Sequence, residues 1–105
     1  MAYSILSSEV FDAWLTNLKD VKAKATVVRR VQQTALGNFG DHKRLSEFLY
    51  EMRIHLSPGW RIYYTIEDNT IVFLLSGGSK KNQSRDIAQA ELAIKERQNN
   101  GIHTI

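Results

Sequence analysis

The sequence predicts an α+β fold, a small antiparallel sheet with two N-terminal helices and one C-terminal helix in the order (β)ααβββα. Three observations carry this. Tyr50, Met52, Ile54 and Leu56 alternate with Glu51, Arg53 and His55, while Trp60, Ile62, Tyr64 and Ile66 alternate with Arg61, Tyr63 and Thr65. Such period-two patterns on either side of Ser57-Pro58-Gly59 describe a hairpin of two half-buried strands. Ile71-Val72-Phe73-Leu74-Leu75 is apolar at every position and reads as a strand buried on both faces. The segments before and after these strands carry apolar residues at helical spacing, so the helices segregate from the sheet.

Taken in order, Tyr3–Leu6 suits a short edge strand. Ser7 or Ser8 caps a first helix with Glu9 and Asp12 in its opening turn, where the helix dipole favours anions. Its apolar stripe is Val10, Phe11, Trp14, Leu15 and Leu18. A second helix runs from about Val21 to Leu36, burying Ala25, Val28, Val31 and Ala35, and Gly37 stops it. Residues 37–43 are rich in turn formers, and residues 44–49 have no assigned structure. Asp68-Asn69 turns the chain into the apolar strand. After Ser76-Gly77-Gly78-Ser79-Lys80-Lys81 a last helix begins, with Ile87, Ala90, Glu91 and Ile94 tracing one face and Leu92 beside it. One domain spans residues 1–97, and residues 98–105 read as a flexible C-terminal tail.

With 43% apolar and 24% charged residues, the composition is that of a folded soluble protein. Cysteine is absent, which excludes disulfide frameworks, thiol nucleophiles and thiolate metal sites. No apolar run is long enough to cross a bilayer and no signal-peptide pattern opens the chain, so the expected location is cytoplasmic and no membrane partner is expected. The net charge of +3 is unevenly spread. Between residues 22 and 61, Lys22, Lys24, Arg29, Arg30, Lys43, Arg44, Arg53 and Arg61 face only Asp41, Glu47 and Glu51. A positive field on the second helix and the hairpin is the footprint expected for a polyanionic partner.

The hairpin concentrates the candidate chemistry. A three-residue loop of Ser57, Pro58 and Gly59 places His55 opposite Arg61 and Arg53 opposite Tyr63, all on the polar face. A two-residue loop would turn a hydrophobic set to water. Cations around a tyrosine and a histidine suit a phosphate, although an exposed sheet face carrying charge reads the same way. Gly77-Gly78-Ser79-Lys80 lacks the spacing of a nucleotide-hydrolysing phosphate loop. Two glycines before a helix, with Lys80 and Lys81, suit either an anion grip or a flexible solvated loop. His42, His55 and His103 are scattered without metal-ligand spacing, so no metal is expected.

Three blocks in sequence carry a family resemblance. They are Gly37-Asn38-Phe39-Gly40-Asp41-His42-Lys43; Glu51-Met52-Arg53-Ile54 with Pro58-Gly59-Trp60-Arg61-Ile62-Tyr63-Tyr64; and Leu74-Leu75-Ser76-Gly77-Gly78-Ser79-Lys80 with Gln83, Asp86, Ile87 and Ala90. Together they resemble the RelE/ParE toxin superfamily, in its HigB-like branch of addiction-module killer proteins. The similarity spans roughly residues 11–93. It implies a RelE-like fold and a toxin of a type II toxin–antitoxin module, neutralised by a helix-turn-helix antitoxin. It further implies a ribosome-dependent mRNA endonuclease that inhibits translation, using the substrate's own 2′-OH without metal or cofactor.

On this resemblance Arg53 and Arg61 clamp the scissile phosphate, Lys43 and Lys80 assist, and His55 or Tyr63 is an acid or base. Lys22, Lys24, Arg29, Arg30 and Lys81 would meet RNA phosphates. Several family nucleases carry a Tyr or His near the last helix, where this chain reads Ser79-Lys80-Lys81-Asn82-Gln83. ParE-like relatives share the fold and inhibit gyrase without enzymatic activity, and a degenerate antitoxin-binding module is a third alternative.

Overall fold

Serine and aspartate side chains set where the helices begin. In a computed structural model describing residues 2–102, strand β1 (Ser4–Ser7) leads into helix α1 (Glu9–Asn17). Ser8 caps α1, accepting from the Phe11 amide at 3.0 Å. Asp20 does the same for helix α2 (Val21–Ala35), accepting from the Ala23 amide at 3.0 Å. Gly37, at φ +93°, ends α2 in the left-handed conformation that glycine adopts without strain.

Four more strands follow: β2 (His42–Arg44), β3 (Tyr50–Ile54), β4 (Trp60–Glu67) and β5 (Ile71–Ser79). A short 3₁₀ turn, Lys80–Asn82, then opens helix α3 (Gln83–Ile102). The sheet order is β1-β5-β4-β3-β2, with β1 parallel to β5 and the other pairs antiparallel. The sheet is therefore mixed at one edge. Strand β2 was not foreseen, and α3 continues through Ile102, past residue 98 where the sequence suggested a tail.

Each face of the sheet has its own core. Met52, Ile54, Ile62, Tyr64, Val72 and Leu74 pack with Phe11 of α1 and Val27 of α2. Leu49, Tyr63 and Leu75 pack with Ala90 and Ile94 of α3. The hairpin's supposed polar face thus lies partly beneath α3, and Tyr63 has no exposed surface. A strand covered on both sides can show period-two alternation when its second core admits tyrosine and threonine, and Tyr63 and Thr65 do so here.

The inward face of α2 also differs from expectation. Ala23, Val27 and Thr34 are buried, whereas Ala25 and Val28 are exposed. Arg30 explains the rotation. Its guanidinium reaches beneath the β2–β3 corner and donates to the carbonyls of Arg53 (2.6 Å), Phe39 (2.8 Å) and Asp41 (3.1 Å). A half-buried arginine that donates to three carbonyls turns its side of the helix inward. Val10 of α1 is likewise exposed, at 65%.

Candidate functional site: a carboxylate between two arginines

The hairpin register decides the site. Arg53 lies directly opposite Arg61, Glu51 opposite Tyr63, and Ile54 opposite Trp60. The connecting loop is therefore residues 55–59 rather than the three-residue loop expected. Leu56 tucks against the core and its carbonyl accepts from the Gly59 amide at 2.7 Å, closing the longer turn. A shift of two residues keeps every side chain on its face while changing its partner. That is why the arginines meet each other instead of His55 and Tyr63.

Two guanidinium groups side by side need a counter-charge, and Glu51 supplies it. It sits at 1% exposure. Its Oε1 is 3.3 Å from Arg53 Nε and its Oε2 is 3.7 Å from Arg61 Nε. Gln83 Nε2, at the start of α3, donates to Oε2 at 2.8 Å. Arg61 is nearly buried, whereas 32% of the Arg53 side chain is exposed. Gly59 (φ +94°) sits where an added Cβ would meet Lys80 Cβ at 3.4 Å and Arg61 Nη1 at 3.9 Å. Lys80 and Arg61 therefore flank the same glycine, and the Lys80 amide donates to the Gly59 carbonyl at 2.9 Å.

The remaining candidates separate. Lys43 is exposed on β2 opposite Glu51, on the arginine face. Lys81 is exposed in the 3₁₀ turn beside Lys80. His55 is well exposed, and its Nε2 hydrogen-bonds Asp41 Oδ2; Asp41 in turn accepts from the Arg53 amide at 2.9 Å through its carbonyl. Burial, together with the nearby Glu51 and Asp86 carboxylates, drives the Tyr63 hydroxyl far above the ordinary tyrosine range. The phenol is neutral and wholly buried. Lys22, Lys24 and Arg29 sit on α2, against the opposite face of the sheet, and Lys24 Nζ donates to the Thr16 carbonyl at 3.2 Å. Arg30 is committed to carbonyls as described. His103 lies outside the described residues.

Gly77-Gly78 is no loop. Both residues belong to β5, pairing with Ile62 and Arg61. Their lack of a side chain admits neighbours: a Cβ on Gly77 would stand 2.3 Å from the Trp14 ring, and one on Gly78 2.0 Å from Asp86 Oδ2. Glu51, Gln83 and Asp86 are the site residues that the sequence hid. A glutamate in an alternating strand reads as solvated, and the register that brings Glu51 beside both arginines was not the one expected.

The Asp41–His55 contact makes a pH prediction. The His55 hydrogen bond is the main cause holding the Asp41 carboxyl below the ordinary value of 3.8. A depressed carboxylate stabilises the folded state above its unfolded pKa, and the contribution is lost as pH falls through the folded value. Asp41→Asn is expected to unfold slightly more easily than wild type at neutral pH and indistinguishably well below pH 3.8, checked by urea titration at both pH values.

No family model matches the sequence. An uncharacterized protein of Haemophilus influenzae (strain Rd) is 38% identical over 96 residues, covering 91% of this chain and 97% of that one. Among solved structures, a free-state double arginine-to-alanine mutant of the E. coli toxin RelE superposes with a TM-score of 0.69. It is 17% identical, covering 89% of this chain and 97% of RelE. The RelBE2 toxin–antitoxin complex of Mycobacterium tuberculosis gives a TM-score of 0.63 at 19% identity, with 76% and 100% covered. The fold is that of RelE toxins.

Proposed function

We propose that this chain, which belongs to one family with the Haemophilus influenzae protein, is the toxin of a toxin–antitoxin module and cleaves mRNA on the ribosome. The observation that carries the reading is the Arg53–Arg61 pair, opposed across β3 and β4, with the exposed Lys80 beside the Gly59 turn. On a RelE fold, two paired arginines with a lysine nearby suit a phosphate that gains charge during reaction. A surface built only for protein binding has no need to crowd three cations.

In the chemistry proposed, the 2′-oxygen of the upstream nucleotide attacks phosphorus and the P–O5′ bond breaks. The products are a 2′,3′-cyclic phosphate and a 5′-hydroxyl. Arg53, Arg61 and Lys80 hold the phosphoryl oxygens as negative charge builds, and Lys43 adds field from β2. His55, exposed and oriented by Asp41, is the group on this face suited to accept the 2′-OH proton. The leaving 5′-oxygen takes its proton from water. The exposed Lys22, Arg29 and Lys81 add sequence-independent attraction to RNA phosphates.

The partner proposed is a helix-turn-helix antitoxin in the HigB-like manner, and the working compartment is the cytoplasm. Among the described residues no helix is long and apolar enough to cross a membrane. The test is controlled expression in growing cells with mapping of mRNA 5′ ends. Growth arrest with new ends inside translated codons supports the reading. Arrest with intact mRNA and accumulating DNA breaks would move the target to gyrase.

A further inference from the structure

We propose that Glu51 is the positioning residue of the cationic site, fixing both arginines and the turn that carries Lys80 from a single buried carboxylate. Its consequence for rate rests on the nuclease reading above; its consequence for arginine geometry does not.

Like charges directly opposite on neighbouring strands repel, and Arg53 and Arg61 are directly opposite. A carboxylate taken out of water needs partners on both oxygens, and Glu51 is 1% exposed. Each need answers the other. Oε1 faces Arg53 Nε at 3.3 Å, and Oε2 faces Arg61 Nε at 3.7 Å while accepting from Gln83 at 2.8 Å.

The choice of nitrogen matters. Glu51 pairs by charge with the Nε edge of each guanidinium, and both Nε atoms are shielded from solvent without a hydrogen-bond partner. Arg53 nevertheless keeps 32% of its side chain exposed. A guanidinium held by its inner edge presents its outer nitrogens in a fixed plane, which is the geometry that bidentate phosphate recognition requires. Arg61 is further fixed by Nη1 donating to the Trp60 carbonyl at 3.3 Å.

Gln83 extends the control. It opens α3 immediately after the turn bearing Lys80, so its bond to Glu51 ties that turn to the arginine pair. Glu51 is not a proton acceptor for substrate, because its carboxylate is enclosed and faces two arginines and an amide. It acts by holding Arg53 and Arg61.

The experiment is side-chain NMR of the arginine Nε–H groups, paired with steady-state cleavage of mRNA on programmed ribosomes, in wild type, Glu51→Gln and Gln83→Ala. In wild type, the Arg53 and Arg61 Nε–H signals are expected to exchange slowly with solvent. Glu51→Gln should abolish that protection while the backbone amide spectrum is otherwise retained. It should lower kcat about 100-fold with little change in KM, the signature of displaced groups rather than lost affinity. Gln83→Ala should preserve the protection and cost less in kcat, because Glu51 stays charged.

Unchanged arginine protection in Glu51→Gln, or an unchanged kcat, would overturn the proposal. Unprotected Nε–H groups in wild type would overturn it without any variant, so a Glu51→Gln chain that failed to fold would not rescue it. Protected signals in a wild-type protein that cuts no ribosome-bound mRNA would reject the nuclease reading and leave the arginine geometry standing.

Discussion

Arg61→Ala is expected to lower the cleavage rate by about 10²–10³-fold and to abolish growth arrest on expression, while the protein still binds its antitoxin. Arg61 is the better buried of the two arginines, at 7% exposure, and it is fixed by Glu51 and the Trp60 carbonyl. A charge held in a partly desolvated pocket stabilises a developing phosphorane more than the same charge in water. Arg53→Ala should follow in the same direction with a smaller loss, because its side chain is more exposed and more screened. The comparison is made by single-turnover cleavage and by colony formation under induction. Antitoxin capture serves as the control for folding. Survival of full toxicity in both variants would place the chemistry elsewhere.

Gly77→Ala should be the most damaging single methyl group in the sheet. The new Cβ would stand 2.3 Å from Trp14 Cε3 and Cζ3. Trp14 is itself wedged between Phe11 and Trp60, with ring centroids 5.7 and 6.4 Å away. The ring cannot retreat without opening the α1 face of the core, so a loss of about 3 kcal/mol is expected. In thermal unfolding that is a Tm drop of roughly 10–20 °C for a chain of this size. The same experiment separates two readings of the glycine pair. A strand glycine that admits an indole predicts lost stability with cleavage retained at low temperature. An anion-gripping loop predicts an unchanged Tm and weakened RNA binding.

How much of this was legible in the sequence varies by residue. Hairpin parity was legible, because alternation fixes which side chains share a face, and Arg53 and Arg61 share one whatever the loop length. Register was not. A three-residue loop and the five residues observed both preserve parity, and only the packing of Leu56 against the core selects the longer one. The inward face of α2 was misread because Arg30 looks solvated by composition. Its three bonds to carbonyls of the β2–β3 corner depend on contacts 9 to 23 residues away. Strand β2 escaped because His42-Lys43-Arg44 has no apolar pattern; its pairing with β3 supplies what the side chains do not. Glu51 escaped for a related reason: a lone acid in an alternating strand announces burial only when the helix that covers it is known.

The central claim is that the arginine pair promotes attack by the substrate's own 2′-oxygen. The most direct measurement uses purified protein and ribosomes programmed with a defined mRNA, comparing an all-ribose message with one carrying a single 2′-deoxynucleotide at the mapped cleavage position. The account predicts a 2′,3′-cyclic phosphate and a 5′-hydroxyl from the first message, and no cut at that position in the second. Cleavage that continues at the deoxy position, leaving a 5′-phosphate, would contradict it.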